Sequence, residues 1–526
     1  MKKLTLTILQ LFGGVYMYKR QSGVLCHISS LQTSFGIGDL GKASFDFIDF
    51  LAEAGQSIWQ ILPINPTSFG DSPYSCFSSF AGNHLFICPH TLVNWNLLSQ
   101  NDVLHDINFT QNKIDYADVI NLKSSFFKKA FKNFNLNKKE FISFIKSNES
   151  WLEDYSLFMA LKEHFIAKRK LDISHPENLS ADYYYGAVWQ TWDDNLPARC
   201  PLSIKKYKHK LKDEINYHKF LQYIFFKQFA LVKAYANSKG VQILGDIPIF
   251  VAYDSADCWA NQELFLLDEL GIPSVVAGVP PDYFSADGQL WGNPLYNWQA
   301  HTANGYAWWI DRIKAALQVF DTLRLDHFRG FYSYWAVKYG EETTKHGKWQ
   351  KAPGKQLFDA IQLKLGKLPI IAEDLGIITP QVQKLLAELD LPGMKVLQFA
   401  FDQNPQNPHL PHNFATQNIV AYTGTHDNNT TAGWYNLASE LEKDTFRRYL
   451  NSSGENASWD LIRACMLSVA RISIVPVQDI LSLGTNYRTN TPGTLNDNWT
   501  FRLDKDQLTK RHANDMAYLT RLSSRM

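Results

Sequence analysis

The sequence predicts an α/β protein built on a (β/α)8 TIM barrel, with large inserted helical subdomains and long loops on the C-terminal face. Three observations predict it. Short apolar, β-branched runs recur eight times, stretches with apolar residues at spacings of three and four lie between most of them, and polar residues collect where the runs end.

The first run, GVLCHIS (23–29), precedes GKASFDFIDFLAEAG (41–55), a helical pattern closed by glycine. IWQILPI (58–64) is the second. YHKFLQYIFFKQFALVKAYANSKG (217–240) leads into the third, VQILGDIPIFV (241–251). TLRLDHF (322–328) and PIIAEDLG (369–376) follow, the latter running into the helical TPQVQKLLAELD (379–390). KVLQFAF (395–401), NIVAYTGTHD (418–427) and ISIVPVQDI (472–480) complete the eight.

The repeat is uneven, because the second gap and the third far exceed ordinary connections. An insertion at about 82–235 holds aromatic-rich helical sequence such as SWLEDYSLFMALKEHFIAKRK (150–170). A second, at 253–298, is dense in Gly, Pro, Asp and aromatic residues and reads as a long loop over one face. No low-complexity tract or flexible linker divides the rest, so residues 20–526 read as one catalytic domain.

Residues 1–19 read as an N-terminal extension outside the fold. The start MKKLTLTILQLFGG has the two lysines and apolar run of an export signal, but no small-x-small cleavage site follows, and Met17 offers a second start. An appended or misassigned start of sixteen residues is the expectation, with export as the alternative.

With 526 residues and 45% hydrophobic content, the chain is long enough for a large core. Its net charge of +1 gives no general attraction for nucleic acid or anionic membrane, and no run approaches a membrane span of about 20 residues. Six cysteines lie far apart without a CxxC pair, as expected of free thiols in a reducing, cytoplasmic compartment.

Asp246, Asp326 with His327, Glu373 with Asp374, and His426 with Asp427 all fall at the C-terminal ends of runs, which a barrel gathers on one face. Crowded carboxylates repel, which raises one pKa and keeps a proton available, while a neighbouring arginine holds another ionised. One acid and one ionised nucleophile are the requirements of retaining glycosidic chemistry. Arg324, two residues before Asp326, lies on the same side of its strand and is placed to orient it. Any one acid alone is explained as a rim ion pair or helix cap; independent surface charges have no reason to gather at three strand ends.

The segments SGVLCHISSLQTSFGIGDLG, ILPINPTSFGDSPYSCFSSFAGN, GDIPIFVAYDSADCWA, GVPPDYFSADGQLWGNPLYNW, LRLDHFRG, IIAEDLG, GTHDNNTT and NTPGTLNDNW span nearly the whole chain. Together they resemble the 4-alpha-glucanotransferases, also called amylomaltase or disproportionating enzyme, of glycoside hydrolase family 77 in the alpha-amylase clan. The resemblance implies Asp326 as nucleophile, Glu373 as general acid and base, and Asp427 as the third carboxylate. It also implies that Arg324, His426 and Asp246 wall the donor sugar, with Tyr74 as a stacking platform suited to the apolar face of a sugar. His327 is implied on the acceptor side, although an ideal pleat points it away from Asp326.

In the loop at 253–298, Tyr283, Phe284, Gln289 and Trp291, with Asp282 beside them, are positioned to exclude water while an acceptor glucan binds. The implied substrates are maltodextrins and other α-1,4-glucans as donor and acceptor, with glucose as acceptor, and no cofactor or metal. Two alternatives remain open: an α-1,4-glucan hydrolase using the same acids, and a non-catalytic glucan-binding protein, which would be expected to lack one of them.

GIGDLG (36–41) fits a dinucleotide fingerprint, but SLQTSF separates it from its strand and no acid ends the next run. HLPH (409–412) offers two histidines without a third ligand nearby.

Overall fold

The structure is a computed structural model, which describes residues 19–169, 188–281, 286–494 and 496–526. The expected extension lies outside the described residues except for its last residue, and so do Asp282, Tyr283 and Phe284. Twelve strands are described: β1 (Gln21–Leu25), β2 (Ile58–Gln60), β3 (Gln242–Ile247), β4 (Val275–Val279), β5 (Gln289–Pro294), β6 (Thr322–Leu325), β7 (Ser333–Lys338), β8 (Lys348–Lys351), β9 (Ile370–Ala372), β10 (Gly393–Val396), β11 (Ile419–Tyr422) and β12 (Ile472–Pro476).

Each of the eight apolar runs contains or overlaps a strand of one parallel sheet, in the order β10-β11-β12-β1-β2-β3-β6-β9. Such strands are covered on both faces, which is why they read as nearly continuous apolar sequence. Leu25, Ile58, Leu244, Ile371, Met394, Val420, Tyr422, Ile472 and Ile474 pack into the barrel interior. Alternate residues such as Val24, Trp59, Ile243, Leu323, Leu325 and Ile370 pack outward in the larger core that the helices cover. At the β9/β10 seam the Ala372 N–H donates to the Pro392 carbonyl over 2.9 Å, and the Met394 N–H donates to Asp374 Oδ1 over 2.6 Å. Asp374, one of the strand-end acids, is therefore turned into this seam.

Helices Lys42–Glu53, Lys212–Ser238, Ala307–Val319, Gly354–Leu365 and Pro380–Glu388 fill successive crossovers, and Ala457–Leu467 precedes β12. Between β10 and β11 the chain makes only short 3-10 turns, Leu397–Phe399 and Pro411–Asn413. Pro405, Pro408 and Pro411 recur every third residue there, removing donors and biasing each preceding residue towards extended backbone.

The segment before Lys212–Ser238 folds as helices, among them Tyr116–Lys132, Lys139–Ser147 and Glu149–Lys168. They join the main core through aromatic contacts such as Phe134 to Phe220, 4.9 Å between ring centres.

The stretch 253–298 departs from the expected loop. It carries helix Ala256–Ala260 and strands β4 and β5, which join β7 and β8 in an antiparallel sheet ordered β5-β4-β7-β8. β4 finds its second partner, β7, far along the chain, and Gly278, Gly288 and Gly292 interrupt the alternation that marks a strand.

Candidate active site

β3, β6 and β9 are neighbours in the barrel, and Asp246 is the direct register partner of Arg324. Both side chains therefore point into the barrel mouth. Arg324 Nη1 donates to Asp246 Oδ2 over 2.5 Å, and Nη2 lies 2.9 Å from Asp326 Oδ1. Asp246 is 0% exposed and also accepts the Tyr74 hydroxyl over 2.7 Å. Burial opposes the Arg324 charge, but Asp246 and Asp326 outweigh it and raise its pKa.

Hydrogen bonds beyond the ladders hold the acids rigidly. The Asp326 N–H donates to Ile247 O over 3.0 Å, and the Glu373 N–H donates to Leu325 O over 2.9 Å. Glu373 Oε2 accepts the His327 N–H and Oε1 accepts the Leu375 N–H, each over 2.7 Å. Burial, followed by the charge of Asp326, pushes the Glu373 carboxyl up to about 8 against the pull of Arg324 and those two N–H groups. It therefore holds a proton at neutral pH.

His327 does not follow the pleat, because β6 ends at Leu325 and His327 adopts a left-handed backbone, φ 48° and ψ 51°. Its ring meets Trp291 edge-on, 4.9 Å between centres at 86°. Burial lowers its pKa to about 4, which leaves the imidazole neutral.

The third acid arrives on the loop after β11. Asp427 Oδ1 accepts the Asn490 side-chain amide over 2.7 Å and lies 3.3 Å from His426 Nε2. Arg488 donates to the Asp427 carbonyl over 2.8 Å. His426 stacks on Tyr74, 4.9 Å between centres at 12°, so the tyrosine expected to face a sugar also has a histidine against its ring. Asp479 grips both ends of this loop, accepting Thr423 Oγ1 over 2.6 Å and the Thr431 N–H over 2.7 Å.

Tyr74, Gln289, Trp291, Asp326, His327, His426 and Asp427 line one open cleft of about 340 Å3, with Phe250, Asn490 and Trp499. Arg324 and Asp246 lie beneath Asp326, and Glu373 lies beside it through His327. Of the expected site residues, Asp282, Tyr283 and Phe284 fall outside the described residues. Asn490, Trp499, Arg488 and Asp479 were not anticipated as site residues; the only signal for the first two was their place as the first and last residues of NTPGTLNDNW.

Both decoy motifs have structural uses. A Cβ at Gly38 would lie 1.8 Å from the Ile28 carbonyl oxygen, so GIGDLG serves close packing. His409 Nδ1 accepts the Val396 N–H, and His412 Nδ1 contacts the Tyr449 hydroxyl. Among the described residues no group of three or more His, Cys, Asp or Glu is arranged to hold a metal ion, and no helix is long and apolar enough to cross a membrane.

Comparison with known proteins gives a consistent result. The family model described as 4-alpha-glucanotransferase matches residues 26–509. The 4-alpha-glucanotransferase of Synechocystis sp. is 47% identical over 515 residues, covering 96% of this chain and 98% of its own length. That of Thermus thermophilus is 43% identical over 519 residues, covering 96% and 99%. The amylomaltase from Streptococcus agalactiae in complex with acarbose matches with a TM-score of 0.90 at 40% identity, covering 96% of this chain and 100% of that one.

Proposed function

The chain belongs to the 4-alpha-glucanotransferase family and carries out glucan transglycosylation, and we propose that it does so by a retaining double displacement at Asp326 and Glu373. In the first half-reaction the Asp326 carboxylate attacks the anomeric carbon of the donor glucosyl unit. The Glu373 carboxyl gives its proton to the departing glycosidic oxygen, leaving a covalent glycosyl-enzyme. In the second, the Glu373 carboxylate takes the proton of an acceptor 4-hydroxyl as that oxygen attacks the same carbon and frees Asp326.

One observation carries the assignment: two carboxyl groups of neighbouring strands have opposite environments, Asp326 paired with a guanidinium and Glu373 pushed up to about 8. Asp427, fixed by Asn490 and His426, grips sugar hydroxyls and favours the distorted ring. Tyr74 and His426 wall the donor unit, and the buried Asp246 supports that wall from behind by accepting the Tyr74 hydroxyl. Trp291, His327 and Gln289 form the acceptor side, where covering the glycosyl-enzyme against water favours transfer over hydrolysis.

α-Glucans are the substrates, and the finer reading takes maltodextrins as donor and acceptor, with glucose as a small acceptor. We take residues 20–526 as one catalytic domain with insertions at about 82–235 and 253–298, supported by the core that the inserted helices share with the barrel. A cytoplasmic location fits six free thiols. Hydrolysis and non-catalytic glucan binding gain no support from the relatives.

Incubation with maltotriose tests the reading. Glucose together with maltodextrins longer than the donor is the expected product pattern; net hydrolysis without longer products would sink it. Asp326→Asn is expected to lower turnover by about 10^4-fold or more with the fold intact, and near-normal activity in that variant would overturn the nucleophile assignment.

A further inference from the structure

Arg329, three residues beyond the nucleophile, has no part in the two half-reactions yet joins three separate segments. The residue is buried. Its Nη1 donates to the carbonyl of Ile377, which lies on the loop that leaves β9 and begins with Glu373. Its guanidinium carbon sits 3.8 Å from the centre of the Trp349 ring in β8, within cation–π range.

Trp349 is the end of a cross-strand row. It is the register partner of Trp335 in β7, Trp335 pairs with Gly278 in β4, and Gly278 pairs with Leu290 in β5. Leu290 stands between Gln289 and Trp291, which face the catalytic cleft. Trp335 and Trp349 meet at 5.2 Å between ring centres, so a shift of Trp349 is passed to β7 by side-chain packing as well as by the ladder.

Resting on the assignment of Asp326 and Glu373 above, we propose that Arg329 is a positioning residue that locks the Glu373 loop and the second sheet to the nucleophile strand. This lock sets how the glycosyl-enzyme divides between a glucan acceptor and water. In the second half-reaction Glu373 must lie within hydrogen-bond reach of the attacking hydroxyl, and the Gln289/Trp291 wall must keep water from that position. Both placements are referred to Asp326 through one guanidinium. A lysine supplies the charge but neither the flat face for Trp349 nor several donors in a fixed fork.

The test measures the ratio of hydrolysis to transfer on maltotriose, with thermal unfolding as a control for folding. Arg329→Gln and Trp349→Ala are each expected to raise that ratio by about fivefold to tenfold. Arg329→Lys should do nearly the same, whereas Trp349→Phe should stay close to the parent. Because both substitutions break the same Arg329–Trp349 contact, the Arg329→Gln/Trp349→Ala double variant is expected to shift the ratio by clearly less than the product of the two single effects. Trp349 is 42% exposed, so its variants remain informative if an Arg329 variant fails to fold.

An unchanged ratio in folded Trp349→Ala, or multiplicative effects in the double variant, would overturn the proposal. Failure of the underlying assignment has a separate signature: Asp326→Asn would then keep turnover whatever occupies position 329.

Discussion

Arg324 Nη2 stands 2.9 Å from Asp326 Oδ1, and the other arm of the same guanidinium holds the fully buried Asp246. The arginine thus orients the proposed nucleophile and neutralises an acid that has no access to water. Arg324→Met leaves Asp246 buried without its counter-charge, a loss of about 3–5 kcal/mol. Arg324→Lys keeps a charge but not the fork that reaches two carboxylates, and kcat is expected to fall by about 100-fold with a smaller loss of stability. Denaturant unfolding and initial rates on maltotriose separate the two effects; a lysine variant within about twofold of the parent kcat would refute the orienting role.

Glu373, raised to about 8 from an ordinary 4.5, predicts a basic limb in the rate profile. The first half-reaction needs the protonated acid, so kcat/KM for the donor should fall as pH rises through about 8. The same shift acts on stability. The folded protein binds this proton more tightly than the unfolded chain, so the group's contribution is complete below the ordinary value and is lost as pH rises through about 8. Glu373→Gln stays neutral throughout. Its amide nitrogen cannot accept a backbone N–H as both Glu373 oxygens do, which adds an offset independent of pH. The readout is the slope: Tm of the glutamine variant minus Tm of the parent should rise from about pH 5 to pH 9. A flat difference would contradict the raised pKa.

The barrel was legible for a physical reason. Parallel strands buried on both faces must be apolar throughout, and each places its last polar residue at the mouth. The second sheet was not, because β8 is exposed along its length and glycines break the pattern of β4 and β5. The acids at strand ends were visible in the same way, and Arg324 was recognised by period-two spacing. His327 defeated that rule, since the strand ends two residues earlier and a left-handed residue reverses the expected direction. Asn490 and Trp499 sit on an irregular polar loop where no periodicity marks one side chain over its neighbours.

The left-handed backbone at His327 makes its variants diagnostic. Asparagine tolerates this region, whereas a β-branched residue is strained there by about 1–2 kcal/mol. His327→Asn should therefore fold normally and lose the edge contact to Trp291, with hydrolysis rising relative to transfer. His327→Val should add a drop in Tm. Since the imidazole titrates at about 4, no change in acceptor use is expected between about pH 5.5 and 7.5, and an inflection at the ordinary histidine value would contradict the buried, neutral ring.

Asp479 tests whether the third acid depends on a residue that touches no substrate. It is 1% exposed, and it ties Thr423, just past the end of β11, to Thr431, the first residue of helix Thr431–Leu437. Residues 424–430, including His426 and Asp427, are strung between these two fixed points. Asp479→Ala leaves the Thr431 N–H and two threonine hydroxyls without their buried acceptor. At about 1–3 kcal/mol for a stranded group, partly relieved by rotation of the hydroxyls, the expected loss is about 3–4 kcal/mol. Asp479→Asn keeps one oxygen for the Thr431 N–H and offers an amide to the hydroxyl oxygens, so it should cost about 1 kcal/mol. A loosened loop displaces Asp427 from the sugar, and misplacement by about 1 Å costs roughly 100-fold in rate. The alanine variant, assayed well below its Tm, should therefore show a kcat deficit of that order while the asparagine variant retains most activity. Equal kcat in both variants would mean that Asp427 is placed independently of Asp479, by partners such as Asn490, His426 and Arg488.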